Sequence, residues 1–287
     1  MKVYEAKVFV DQNYILGEGP VWDEDTQTLM WTDIQDHKVF RANLNGEVTE
    51  TIEFDTPVGF FALCEDGGMV LGTATGIAKR DKDGNMVEYA EPKVATGGKF
   101  PGRYNDGKCD DKGRIWAGTL GFGGYFGLTD VDGSYKQLLD EVKCSNGIAF
   151  SKDRKTLYYN DTATMKTDAF DLDYETGTIS NRRTVFAYNP KEGGPDGMTI
   201  DDEDNLWVAR WGGNKISCID PRKGEEIAIV KTGALQTSSC CFGGPDMKTL
   251  FITSSGEGCE KTGSKEEGRV FCVELPVSGA KSYKFKG

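Results

Sequence analysis

Apolar residues along this chain fall into short runs rather than helical faces. Few stretches keep a 3.6-residue apolar period, whereas brief apolar and aromatic segments recur between clusters of Gly, Asp and Asn. Six of these segments look alike: LMWTD from Leu29, VLGTA from Val70, IWAGT from Ile115, LYYND from Leu157, LWVAR from Leu206 and LFITS from Leu250. Each follows a polar turn, and another mostly apolar run precedes that turn, so the pattern predicts strand, hairpin, strand. The turns begin at Asp23, Glu65, Asp110, Ser151, Asp201 and Gly243, at spacings of 42, 45, 41, 50 and 42 residues. An all-strand repeat of roughly 40–50 residues predicts a β-propeller with one four-stranded blade per repeat. The expected architecture is therefore all-β: a six-bladed propeller occupying residues 1–287 as a single domain. Closure is expected at the ends, with VYEAKVFV near the N-terminus lying beside VFCVEL near the C-terminus and covering an exposed sheet edge.

In such a fold the innermost strands surround a central channel, so equivalent positions converge on the axis. Five residues before each turn stand Glu18, Phe60, Asn105, Asn146, Asp196 and Ser238. Four of these side chains carry carboxylate or carboxamide oxygens, where a purely structural strand would favour apolar or small residues. Hard divalent cations are bound by such oxygens, and a cation offsets the cost of burying carboxylates. A divalent metal in the central channel is the expectation; strand-start residues satisfied by neighbouring backbone are the plainer alternative. The next residue is Gly in three repeats (Gly19, Gly147, Gly197), which points to close backbone approach. One residue before the turns stand Trp22, Cys64, Cys109, Phe150, Ile200 and Phe242, so Cys64 and Cys109 are expected to be small core hydrophobes. Cys240 and Cys241 read the same way. Cys259, in the charged SSGEGCEKTGSKEEG stretch, is expected on the surface.

Composition narrows the chemistry. The 287 residues carry a formal charge of −12 and no basic cluster, which argues against a nucleic-acid partner. No apolar run reaches the roughly 18 residues of a membrane span, so no membrane partner is expected. The only histidine, His37, lies in a polar stretch and reads as a surface residue, so multi-histidine zinc sites and HExxH chemistry are excluded. The eight cysteines form no CxxC pair and no secretory leader is evident, so a reduced, cytoplasmic protein is expected.

The segments ILGEGPVWD, RYNDGKCDDKGRIWAGTL, CSNGIAFSKDRKTLYYNDT and GGPDGMTIDDEDNLWVARW resemble the senescence marker protein/regucalcin/gluconolactonase family, also described as luciferin-regenerating-enzyme-like, over nearly the whole chain. The resemblance implies a six-bladed propeller with one divalent metal in its channel. It implies Glu18, Asn146 and Asp196 as metal ligands, Asn105 as a contact to bound water or substrate, and Arg103 as a binder of sugar hydroxyls. In mammalian members the stretch after AGTM carries acidic residues that help shape the pocket. Here AGTL runs into GFGGYFGLTD, where Gly121, Gly123 and Gly124 bring no charge and Phe122, Tyr125 and Phe126 are expected to form an apolar wall or lid.

The function expected is a gluconolactonase-like carboxylic ester hydrolase acting on a sugar (aldono-)lactone. The metal (Ca, Zn, Mn, Mg or Fe) would polarise the carbonyl, with Asp196 as base or water-orienting ligand. Arg103 and Asn105 would hold the polyol and Phe60 would pack on the ring. The alternatives are a promiscuous ester or phosphotriester hydrolase on the same metal, a non-enzymatic calcium-binding regulatory protein, and a cation that only plugs the channel. The small-molecule partner is expected to meet a monomer or weak homo-oligomer.

Overall fold

A computed structural model describes residues 1–90, 102–259, 262 and 264–287. Its elements are strands, with two single-turn 3-10 helices among the described residues, and no described helix is long and apolar enough to cross a membrane. β1 (Lys2–Glu5) and β2 (Lys7–Val10) precede a first sheet made of β3 (Gly17–Asp23), β4 (Thr28–Asp33), β5 (Lys38–Ala42) and β6 (Val48–Glu53). A second sheet holds β7 (Phe60–Leu63), β8 (Met69–Gly72), β9 (Ile77–Arg80) and β10 (Met86–Ala90). The third runs through β11 (Gly102–Cys109), β12 (Ile115–Thr129), β13 (Tyr135–Phe150), β14 (Thr156–Asp161), β15 (Lys166–Asp173) and β16 (Thr178–Ala187). The last combines β17 (Gly194–Ile200), β18 (Leu206–Trp211), β19 (Lys215–Asp220), β20 (Glu225–Lys231), β21 (Gln236–Gly243), β22 (Thr249–Ser255) and β23 (Val270–Glu274). All six apolar segments begin in strands (β4, β8, β12, β14, β18, β22), each antiparallel to the strand before its turn, with VLGTA running two residues past the end of β8.

The strands that precede the turns pack on one another: β3 on β7, β7 on β11, β11 on β13, β13 on β17, β17 on β21, and β21 back on β3. That closes a ring. The approach is tight enough to require glycine: a Cβ at Gly147 would lie 2.7 Å from the Asp196 carbonyl oxygen, and one at Gly197 would overlap the Ser239 side chain. The turns are tied by their first residues. Asp110 accepts the Lys112 and Arg114 amides and the Trp116 indole N–H, and Asp201 accepts the Glu203 and Asn205 amides and the Trp207 indole N–H. Acidic turn starts thereby fix both a hairpin and a core tryptophan.

The N-terminal run divides. β2 pairs antiparallel with β23, as the sequence predicts, whereas β1 pairs parallel with β20 and joins the preceding group of strands. Cys64, Cys109, Cys240 and Cys241 are buried core residues, and all eight cysteines are free thiols. Cys259 contradicts its expected exposure: it is buried, with its thiol 3.8 Å from the Ser255 carbonyl oxygen. Tyr125 and Phe126 are also corrected, since neither forms a pocket wall. β12 bulges between Leu120 and Gly124, the Thr119 hydroxyl takes the Tyr125 amide, and both rings turn into the core against Tyr104 and Tyr159. The Phe122 side chain lies outside the described structure.

Candidate metal centre and mouth

At one end of the ring, Glu18, Arg103, Asn105, Asn146 and Asp196 line one cleft together with Leu16, Leu120, Cys144, Thr162, Trp211 and Glu257. Local sequence sets each of them. Asp33, at the end of β4, accepts the Ile15 and Leu16 amides, which anchors the chain just before Glu18. Asp161, at the end of β14, accepts the Lys143 and Cys144 amides just before Asn146. The corresponding position at the end of β18 is Arg210, which reverses the polarity: its buried guanidinium donates to the Gly193 carbonyl oxygen just before Asp196.

Hydrogen bonds orient the two amides. Thr162 Oγ1 donates to the Pro195 carbonyl oxygen (2.7 Å) and so accepts from Asn146 Nδ2 (2.7 Å), which leaves Asn146 Oδ1 on the other side of the amide plane. Asn105 Nδ2 donates to that oxygen at 3.0 Å and to the Ser145 carbonyl oxygen at 2.7 Å, while Arg103 Nη1 donates to Asn105 Oδ1 at 2.5 Å. Arg103, Asn105 and Asn146 therefore form one chain of donors ending on an oxygen in the cleft.

The carboxyl groups are electrostatically crowded. Burial, and then the charge of Asp106, push the Glu18 carboxyl up to about 8 against the pull of the Gly19 amide and Arg103. Burial, Glu18 and Asp106 hold Asp196 well above the usual carboxylate range. Asp106 is itself raised by burial, with Lys108 opposing, and burial lowers the Arg103 guanidinium although Glu18 and Asp196 favour its charge. Three carboxyls thus share two nearby cations, and their anionic forms gain from added positive charge. No cluster of three or more His, Cys, Asp and Glu that could hold a metal occurs among the described residues. The candidate donor set is instead two carboxylates and a carboxamide, which is all oxygen and fits a hard divalent cation.

Phe60 does not join this cleft. It is 1% exposed, stands edge-on to Tyr104 and fills the space over Gly107, where a Cβ would lie 2.5 Å from its ring. It lines a second, inner cavity with Asp106 and Lys108, whose ammonium donates to the Met198 carbonyl oxygen. Ser238, the sixth member of the series, is sealed in the core, donating to the Gly17 carbonyl oxygen. His37 stays half-exposed in the turn between β4 and β5, away from the cleft. Sequence reasoning missed Asp106, although it occupies the position that is Gly in three other repeats. It also missed Glu257 and Trp211, which no periodicity marks.

Residues 16–256 match the family described as SMP-30/Gluconolactonase/LRE-like region. Regucalcin of Xenopus laevis is 37% identical over 303 residues and regucalcin of Homo sapiens 34% over 304, each alignment covering 100% of both chains. Among solved structures, a regucalcin of Agrobacterium tumefaciens, described as a calcium-binding protein, superposes with a TM-score of 0.91 at 26% identity over 100% of both chains. A luciferin-regenerating enzyme superposes with a TM-score of 0.89 at 29% identity, covering 98% of this chain and 99% of the other. The chain belongs to the SMP-30/gluconolactonase/LRE-like family, whose fold is a β-propeller.

Proposed function

We propose that this protein is a lactonase that holds one divalent cation on Glu18, Asn146 and Asp196 and hydrolyses a sugar lactone in the cleft above them. The observation that carries the reading is the meeting of two strained carboxyls, an oriented carboxamide oxygen, Asn105 and Arg103 in one open cleft. Reading each ring strand as the innermost of four gives six blades and a single domain over 1–287, with the cation on their common axis. The family's gluconolactonase members support the reaction class. When bound, the cation would polarise the lactone carbonyl and stabilise the charge that develops on its oxygen.

The protein's own groups supply the rest. Arg103 and Asn105 hold substrate hydroxyls, with the guanidinium pinned through Asn105 Oδ1 and the Tyr104 carbonyl oxygen. Asp196 orients the attacking water and receives its proton; as a carboxylate it has the acceptor oxygens for both tasks. Thr162 keeps Asn146 from rotating its amide nitrogen into the cleft. The eight free thiols support a reducing, cytoplasmic setting.

A pH-stat screen of aldonolactones on chelated protein, then with Ca²⁺, Mg²⁺, Mn²⁺, Zn²⁺ or Fe²⁺ restored one at a time, tests the reading. Acid release that stops with chelator and returns with a divalent cation is expected. Turnover indifferent to chelator, or none with any cation, contradicts it. A second reading, calcium binding without catalysis, is favoured by the calcium-binding description of the Agrobacterium relative, and the same screen separates the two.

A further inference from the structure

Four of the five tryptophans are buried core residues; the fifth, Trp211, lines the cleft. It ends β18, where it pairs with Gly194 of β17 and with Gln236 of β21, and the preceding Arg210 is locked by the Gly193 carbonyl oxygen, Ser217 and the Tyr188 ring. Its backbone is therefore fixed, and among the described residues no other ring packs on its indole. Glu257 reaches the same cleft from the loop after β22, held by its amide to the Ile15 carbonyl oxygen (3.2 Å) and Ser255 Oγ (3.0 Å). Glu257 and Arg103 line the same cleft from different strands of the ring, Glu257 beside the start of β3 and Arg103 on β11. Its charge reaches that guanidinium. The glycine-rich bend of β12 contributes Leu120 to the cleft and, among the described side chains, no acid.

We propose that Glu257 and Trp211 determine substrate specificity, the carboxylate taking hydroxyl hydrogen bonds from the ring edge that Arg103 does not hold and the indole covering the ring's C–H face. The inference rests on the lactonase reading and names its substrate class: a cyclic lactone hydroxylated at its edge, with one apolar face. A guanidinium, which only donates, and a carboxylate, which only accepts, select a polyol because one hydroxyl accepts from the first while another donates to the second. An indole on a fixed backbone beside them offers apolar area at low entropic cost.

The test compares a polyhydroxylated aldonolactone with an unsubstituted δ-lactone, using the cation-loaded wild type and Glu257→Gln, Trp211→Ala and Trp211→Phe. Glu257→Gln is expected to raise KM for the hydroxylated lactone about tenfold with kcat changed less than about twofold, and to shift KM for the plain lactone less than about twofold. Trp211→Ala is expected to raise KM about tenfold for both, with Trp211→Phe restoring most of the loss. Unchanged KM in either residue's variants, or an equal shift for both lactones in Glu257→Gln, overturns the inference while leaving the lactonase reading intact. If the wild type hydrolyses neither lactone, that reading fails, and calorimetric titration with the aldonate reads the same contacts. Tight binding that weakens in Glu257→Gln and Trp211→Ala supports them; equal or absent binding overturns them.

Discussion

The two ends of the ring are built from the same strands and solve opposite problems. At the far end the residues before the turns are apolar or thiol-bearing, and the C-terminal segment is drawn across them. Ala280 donates to the Ile200 carbonyl oxygen, Ser282 accepts the Trp22 amide, Phe285 donates to Leu63, and Lys286 donates to Gly113. Phe285 is fully buried there, within the cluster that includes Cys64, Cys109 and Tyr104. Those hydrogen bonds tie the tail to the strands, and apolar burial supplies the stability. At the mouth, four residues back along the same strands, carboxyls are packed beside carboxyls and their anionic forms are disfavoured. One end is arranged for stability, and the other crowds carboxyls beyond the positive charge at hand.

That contrast can be broken from either side. Asp196→Asn removes a mouth carboxyl and should lower lactone turnover about a thousandfold. Because burial and the neighbouring carboxyls disfavour the Asp196 anion, and a neutral amide removes that penalty, thermal unfolding of the metal-free variant should match or exceed wild type. A large fall in melting temperature would show that Asp196 is structural. Phe285→Ala should do the reverse: a loss of about 3–5 kcal/mol in denaturant unfolding, with the KM of the surviving folded enzyme unchanged. The smallest effect is a slope. Between pH 4.5 and about 8 the folded, metal-free protein keeps a proton on Glu18 that the unfolded chain has released. Unfolding therefore sheds a proton, and stability falls as pH rises through that window, by up to a few kcal/mol. Glu18→Gln should flatten this part of the profile, and equal slopes in both proteins would refute the strain assigned to Glu18.

The same two ends show what the sequence could and could not disclose. Spacing alone located the ring strands and brought Glu18, Asn105, Asn146 and Asp196 into register, because a strand repeat converts equal phase into equal depth along the axis. It could not tell that Phe60, at that phase, would turn onto Gly72 and Gly107, since the room for its ring is made by glycines on two other strands. Arg210 shows the same limit. It stands where Asp33 and Asp161 stand and does the same anchoring work with opposite charge, so residue type hid an equivalence that geometry reveals. Cys259 and Glu257 lie in one polar loop, and only folding separates them, the first into the core and the second onto the mouth.

Calorimetric titration of the chelated protein with Ca²⁺ tests the central claim most directly. The account predicts one cation per chain, with proton release into the buffer near pH 7 as Glu18 ionises, and loss of that binding in Glu18→Gln and in Asp196→Asn. Wild-type affinity retained in both variants, or binding without proton release, would contradict it.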